Sequence, residues 1–282
     1  MRKALAFAYS IWDPTGNITA LVESPVEIAE QPAAAARIME AHGEVEQVGF
    51  VRFFSDAAHP QAELRMAGGE FCGNASMCTA ALCRLQGKTA QETIDLRVSG
   101  ALGPVQVTLH EEGDAAFRAG IRMPYPKEIR RDTFAFEELK GELQLVRMDG
   151  ISHLIARGSS PLYGLKDDPV KAGRAIKAWC GLLGADGLGL MFLDASHDDD
   201  TFTMTPLVYV PGSGTLFYEH SCASGSAAAG AYLSAERGRP VRVLLHEPGG
   251  DLLVTADHGA CSIHLHGHVR LLKRIGKNAS LT

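Results

Sequence analysis

The sequence predicts an α+β protein made of two similar halves, and three observations carry that reading. A Gly-rich turn delivers a cysteine to the start of a small-residue helix at Gly68-Gly69-Glu70-Phe71-Cys72-Gly73-Asn74, and His220-Ser221-Cys222-Ala223-Ser224-Gly225-Ser226 repeats the device. Each helix is followed by a similar strand pair, which makes an internal duplication the simplest account of the recurrence. The predicted helices follow hairpins instead of alternating one for one with strands, which argues against a doubly wound sheet.

Taken in order, Ala4–Tyr9 reads as a first strand, broken by the turn-rich Asp13-Pro14-Thr15-Gly16-Asn17. Ile18–Val22 resumes a strand, Pro25 to His42 reads as a helix ended by Gly43, and Glu44–Phe54 and Gln61–Met66 read as strands. After Cys72 the chain has neither Gly nor Pro to Gln86, with Gly87 as the C-cap. Leu96–Gly100 and Val105–Val107 form the first strand pair. Gly120–Tyr125 closes the first repeat, and Pro124 and Pro126 mark a boundary. Beyond it, Glu142–Val146 and Ile151–Ala156 read as strands, and 168–183 as an amphipathic helix with Val170, Ala175, Ile176 and Trp179 on one side. Gly187–Leu193, Phe202–Val210 and Leu216–Glu219 are strands; the polar turn 197–200 separates the first two. The helix after Cys222 closes at Gly238, and Val241–Leu244 and Leu252–Val254 form the second strand pair. His264 to Leu272 reads as the last strand. The expected division is a first half over 1–122, completed by the tail from about 268 to 282, and a second half over 123–267.

A chain of 282 residues with 46% hydrophobic and 21% charged residues is long enough for two domains, or one large one, and ordinary for a globular protein. A net charge of −6 without a basic run argues against nucleic acid as a partner, and no apolar run reaches transmembrane length. The six cysteines (72, 78, 83, 180, 222, 261) show no CxxC spacing, so neither a zinc site nor a disulfide scaffold is indicated. The apolar run at 4–9 is too short for a signal peptide, and the expected setting is cytoplasmic with reduced thiols.

Cys72 and Cys222 are the candidate catalytic residues. A thiol at a helix N-terminus meets unpaired N–H groups and the positive end of the helix dipole, which favours thiolate. Cys78, Cys83, Cys180 and Cys261 are assigned to inert positions inside apolar elements. Two halves that aim their thiols at one substrate from opposite sides suit removal of a proton from one face of a carbon and its return to the other. His264, His266 and His268 share one face of a strand; a solvated edge is preferred there to a metal site. The glycines at 181, 184, 187 and 189 lack the GxGxxG spacing and the following helix of a nucleotide loop. No lysine lies in a context that marks a Schiff base, so pyridoxal phosphate is not indicated.

These residues resemble the cofactor-independent amino-acid racemases and epimerases of the diaminopimelate epimerase and proline racemase type. Within that group the chain looks most like the histidine racemases of opine metallophore biosynthesis. The matching stretches are Gly16-Asn17, Glu46-Gln47-Val48-Gly49-Phe50, Gly69 to Ala75, Val98-Ser99-Gly100, Pro206 to Pro211, Ser221 to Gly225 and Pro248-Gly249-Gly250. Diaminopimelate epimerases carry Glu-Arg before the second cysteine and Gly-Thr after it, where this chain has Leu216 to His220 and Ala223-Ser224.

The resemblance implies two pseudo-symmetric halves, each a barrel-like sheet around a central helix, with the active site in the cleft between them. It also implies a homodimer that needs no cofactor, and an amino acid as the small-molecule substrate; no metal is expected. One thiolate would remove the Cα proton while the other thiol supplies a proton to the opposite face. N–H groups around Gly73-Asn74 and Ala223-Ser224 would hold the carboxylate as charge builds on it. Asn17 and Asn74 are candidates for the substrate's polar groups. Glu46, beside Gln47, is the candidate partner of an imidazole N–H, against the plain alternative of a surface strand residue. An epimerase or racemase for another amino acid, and a catalytically silent binding module, remain as alternatives.

Overall fold

The computed structural model describes residues 7–54, 60–196 and 198–276. Positions 4–6 of the expected first strand, His197 of the polar turn and residues 277–282 of the tail lie outside them. The chain divides into two compact units, residues 1–121 with 266–282, and residues 122–265.

The first unit contains β1 (Tyr9–Pro14), β2 (Thr19–Val22), α1 (Gln31–Ala41), β3 (Gln47–Phe53), β4 (Ala62–Met66), α2 (Gly73–Leu85), β5 (Thr93–Val98), β6 (Val105–Gly113) and β7 (Ala116–Arg122). The second runs through β8 (Glu128–Phe136), β9 (Leu139–Arg147), β10 (Ser152–Arg157), α3 (Pro169–Leu183), β11 (Leu188–Ala195), β12 (Thr201–Val210), β13 (Thr215–Tyr218), α4 (Ala223–Arg237), β14 (Val241–Glu247) and β15 (Gly250–Asp257). The last strand, β16 (Ser262–Ile275), begins in the second unit and ends in the first.

In the first unit the strands follow the order β1 to β7 and then β16, and β16 pairs antiparallel with β1, with Tyr9 opposite Ile275. The sheet is therefore a closed eight-stranded barrel, which leaves no unpaired edge. Helix α2 packs against β1 through β6, inside the ring. Eleven of its thirteen residues are buried, so it is built from Ala, Ser, Thr, Cys and Met instead of carrying one polar face. Helix α1 packs on β3 over a second core that includes Tyr9, Ile11, Ile38, Val48 and Phe50.

The second unit repeats this succession of strands around a buried helix. Its order is β8-β9-β10-β11-β12-β14-β15, with β16 beside β15 and β13 paired to β12. The directions from β9 through β15 are antiparallel, parallel, antiparallel, parallel, antiparallel. From β1 through β6 they run in the same succession. Each parallel pair is bridged by a helix: α1 and α2 in the first unit, α3 and α4 in the second. Helix α4 lies against β9, β10, β11, β14 and β15, and α3 covers a core of Phe134, Leu145, Ile176, Trp179 and Phe192.

Some expectations change. The strand β1 extends through Asp13 and Pro14, and the turn falls at Thr15-Gly16, both at positive φ, where Asp13 Oδ1 accepts the Gly16 N–H at 2.7 Å. The first helix starts at Gln31 after a single 3-10 turn over Ile28–Glu30. Val170 lies outside the apolar face of α3, 75% exposed in its first turn. The strand β8 has no counterpart in the sequence reading. Among the described residues, no helix is long and apolar enough to cross a membrane.

Candidate active site

Each unit carries one cysteine turn, and the two are built alike. In the first, Gly69 turns the chain at φ +80, and Ser99 ties the turn to the end of β5. Its hydroxyl donates to Glu70 O at 2.8 Å and accepts the Met66 N–H at 3.0 Å. Gly100 adopts φ +74 against this turn; a Cβ there would overlap Phe71 N and lie 2.9 Å from Glu70 C. Backbone presses on backbone, so only glycine fits.

Cys72 is the N-cap of α2, with extended backbone angles (φ −133, ψ 113). Its Sγ accepts the Ala75 N–H at 3.3 Å, and Ser76 Oγ donates to its carbonyl at 2.7 Å. The thiol donates to Gln47 Oε1 at 2.7 Å, from the first residue of β3. Strands β2 and β3 run parallel with Thr19 opposite Gln47, so the segment ahead of β2 meets the segment ahead of β3. That register brings Asn17 to Glu46, where its Nδ2 donates to Oε2 at 3.0 Å. Asn17 is fully buried, and its Oδ1 has no hydrogen-bond partner among the described residues. The fold thus gathers Asn17, Glu46, Gln47 and Cys72 in one place, with Gly73 and the buried Asn74 in the first turn of α2. Glu46, read equally well as a surface residue, has a buried partner.

In the second unit Cys222 caps α4 with nearly the same angles (φ −133, ψ 97). Its Sγ accepts the Gly225 N–H at 3.4 Å and lies 3.6 Å from Ser224 Oγ. Ser226 Oγ donates to Cys222 O at 2.9 Å, the counterpart of Ser76. Ala223 and Ser224 complete the first turn, both buried. Gly249 N–H reaches His220 O at 2.7 Å, so the Pro248-Gly249-Gly250 corner braces this turn as Ser99-Gly100 braces the other.

Glu247 escaped the sequence reading. It is buried at the end of β14; Oε2 accepts the Cys222 N–H at 2.7 Å, and Oε1 is hydrogen-bonded to Ser226 Oγ. Burial is the main cause that pushes its carboxyl up to about 8, and the contacts to Ser226 and the Cys222 N–H oppose it only in part. The one signal in the sequence is a glutamate set directly before Pro-Gly-Gly, a corner already matched to the cysteine turn.

The expectation of a ready thiolate is corrected for Cys222. Burial first, then the carboxylates of Glu219 and Glu247, push its thiol well above the ordinary range, and the Ser224 and Gly225 contacts do not offset them. At 5% exposure desolvation outweighs the helix terminus. Burial also raises Cys78, Cys180 and Cys83, the last to about 12, as suits inert thiols. Cys261 departs from that class, because it is exposed at φ +49 in the turn between β15 and β16. In the histidine triplet, His268 Nδ1 meets Glu112 Oε2 at 2.8 Å, and no group of three or more His, Cys, Asp or Glu among the described residues is arranged to hold a metal.

Residues 6–274 match the family model described as histidine racemase CntK N-terminal domain. A histidine racemase of Fusobacterium nucleatum subsp. nucleatum is 32% identical over 242 residues, 82% of each chain. One of Staphylococcus aureus is 26% identical over 253 residues, 88% of each chain. Among solved structures, a probable proline racemase from Agrobacterium radiobacter K84 aligns with a TM-score of 0.67 at 13% identity, over 95% of this chain and 92% of that one. At that identity the likeness is one of fold.

Proposed function

The chain belongs to the histidine racemase family, and from that membership we propose that it interconverts L- and D-histidine with Cys72 and Cys222 as its two acid–base groups. The observation that carries this reading is the duplicated cap: two buried thiols, each the N-cap of a buried helix, each accepting an N–H from its own first turn.

In the proposed reaction one sulfur, as thiolate, takes the Cα proton while the other, as thiol, gives a proton to the opposite face. The C–H bond broken on one side is replaced by one formed on the other, and the two sulfurs exchange protonation states. The thiol of Cys72 has an acceptor for its proton in Gln47 Oε1. The electron pair left by the Cα proton spreads onto the substrate carboxylate, and the first-turn N–H groups at Gly73-Asn74 and Ala223-Ser224 are the donors assigned to it. Asn17 Oδ1 is a buried acceptor with no protein donor among the described residues, which supports a substrate N–H as its partner. Glu46, held by Asn17 Nδ2, is the carboxylate assigned to the imidazole. The same reading takes the protein as a cytoplasmic homodimer that supplies D-histidine for metallophore assembly, and it assigns no cofactor or metal.

The test is incubation of the full chain with L-histidine in D2O, in the presence of EDTA and without added cofactor. Deuterium at Cα and optical rotation falling to zero are expected. Cys72→Ala and Cys222→Ala should each abolish racemisation, and full activity in either variant overturns the two-thiol scheme. A chiral assay across other amino acids tests the substrate, and turnover of diaminopimelate or proline in place of histidine overturns that assignment.

A further inference from the structure

The Ser226 hydroxyl can hydrogen-bond to both of its neighbours at once only if Glu247 carries a proton. Ser226 has one hydroxyl proton and two neighbours to share it, Cys222 O at 2.9 Å and Glu247 Oε1. The Cys222 carbonyl, which also accepts the Ser226 N–H at 2.8 Å, has no proton to offer, so its contact with the hydroxyl uses the serine's. With that proton so placed, the other contact is a hydrogen bond only when Oε1 brings a proton of its own. Oε2 is already occupied as acceptor of the Cys222 N–H at 2.7 Å.

We propose that Glu247 is a neutral carboxylic acid, its Oε1–H donating to Ser226 Oγ and the serine passing its own proton to Cys222 O, and that it thereby positions the Cys222 turn and keeps a negative charge from beside the thiol. The chain Glu247–Ser226–Cys222 holds the cap residue at its N–H and at its C=O, so the sulfur's direction is set from both ends of the residue. The carrier is stiff: Glu247 is opposite Gly250 across a tight corner, and Gly249 is hydrogen-bonded to His220.

The charged groups that face this carboxyl agree. Glu219, from the segment before the cysteine, opposes its ionisation. The same Glu219 and Glu247 charges oppose the Cys222 thiolate. Every ionised carboxylate here makes that sulfur a weaker acid, so Cys222 becomes a base most readily while Glu247 retains its proton. This catalytic consequence rests on the two-thiol reading; the protonation of Glu247 does not.

Infrared spectra of the full chain at neutral pH test the protonation directly. A protonated-carboxyl C=O band is expected in the wild type, absent in Glu247→Gln and shifted in frequency in Ser226→Ala, which removes the acceptor. No wild-type band lost on the Gln substitution, or a band unmoved by Ser226→Ala, overturns the proposal. Positioning is read by alkylation of Cys222 with iodoacetamide against pH, in a Cys72→Ala background and located by mass spectrometry. Glu247→Gln cannot ionise, so the Cys222 profile should move down by about one pH unit or more; an unmoved or raised profile overturns the charge argument. A present band in a protein that does not racemise histidine counts against the function and leaves Glu247 standing.

Discussion

Gly100 shows how one residue can control a cysteine twenty-eight positions away. Its φ of +74 disfavours any side chain, and a Cβ would press on the backbone of Glu70-Phe71, just before Cys72. Backbone cannot swing aside as a side chain can. Gly100→Ala should therefore cost about 2 kcal/mol or more in urea unfolding, and change the alkylation rate of Cys72 because its turn must move. A variant with wild-type stability and reactivity refutes this coupling. Gly225 is a contrasting case: a Cβ there would meet the Met191 side chain, which has rotamers to yield. The stretch Val98-Ser99-Gly100 was legible as part of a family pattern. Its mechanical purpose was not, because the clash it avoids exists only once β5 ends against the cysteine turn.

The two buried helices make the corresponding point at the level of elements. Neither α2, inside its ring of strands, nor α4 has a solvent face, so small residues replace the usual amphipathic alternation. Gly230 in α4 is a tight case against a stiff neighbour, since a Cβ would lie 2.5 Å from Val254 Cγ1 on β15. Alanine is the better helix former by about 1 kcal/mol, while overpacking a core costs about 1–3 kcal/mol. Overpacking wins, so Gly230→Ala should destabilise, and Val254→Ala in the same chain should restore part of the loss. Additive destabilisation in the double variant would show that the contact is not the cause. Both helices could be placed from sequence, because a run of small residues after a capping cysteine and before a glycine is a local signal. The edge strand β8 could not. Its exposed Arg130 pairs with Glu128 and Asp132 along the same strand, so its outward charges mask the alternation that marks a half-buried strand.

For the molecule as a whole, two buried titratable groups bound the stable range of pH. His153 on β10 is fully buried, neither ring nitrogen has a hydrogen-bond partner among the described residues, and burial depresses its pKa from 6.5 to about 3. The folded state thus binds this proton less readily than the unfolded chain, so His153 favours folding above pH 6.5 and that contribution is lost as pH falls toward 3. Glu247 has the opposite sign. Its folded pKa of about 8 lies above the ordinary 4.5, so its contribution is full below 4.5 and lost as pH rises through 8. Their slopes cancel between pH 4.5 and 6.5. Denaturation midpoints should show a plateau there, with His153→Leu flattening the acid limb and Glu247→Gln the alkaline one. Limbs that persist unchanged in these variants would assign the titration to other groups.

The α+β class, the repeated half and the two cysteines at helix starts could be read from the sequence alone. Caps, turns and apolar periods act over a few residues, and duplication shows as recurrence along the chain. Only the tertiary structure decided that Cys222 is too buried to be a ready thiolate, that Glu247 lies under it from 25 residues away, and that Gly100 guards the other turn. Desolvation and close contact depend on what else fills the same space, and neighbours in the chain do not encode that.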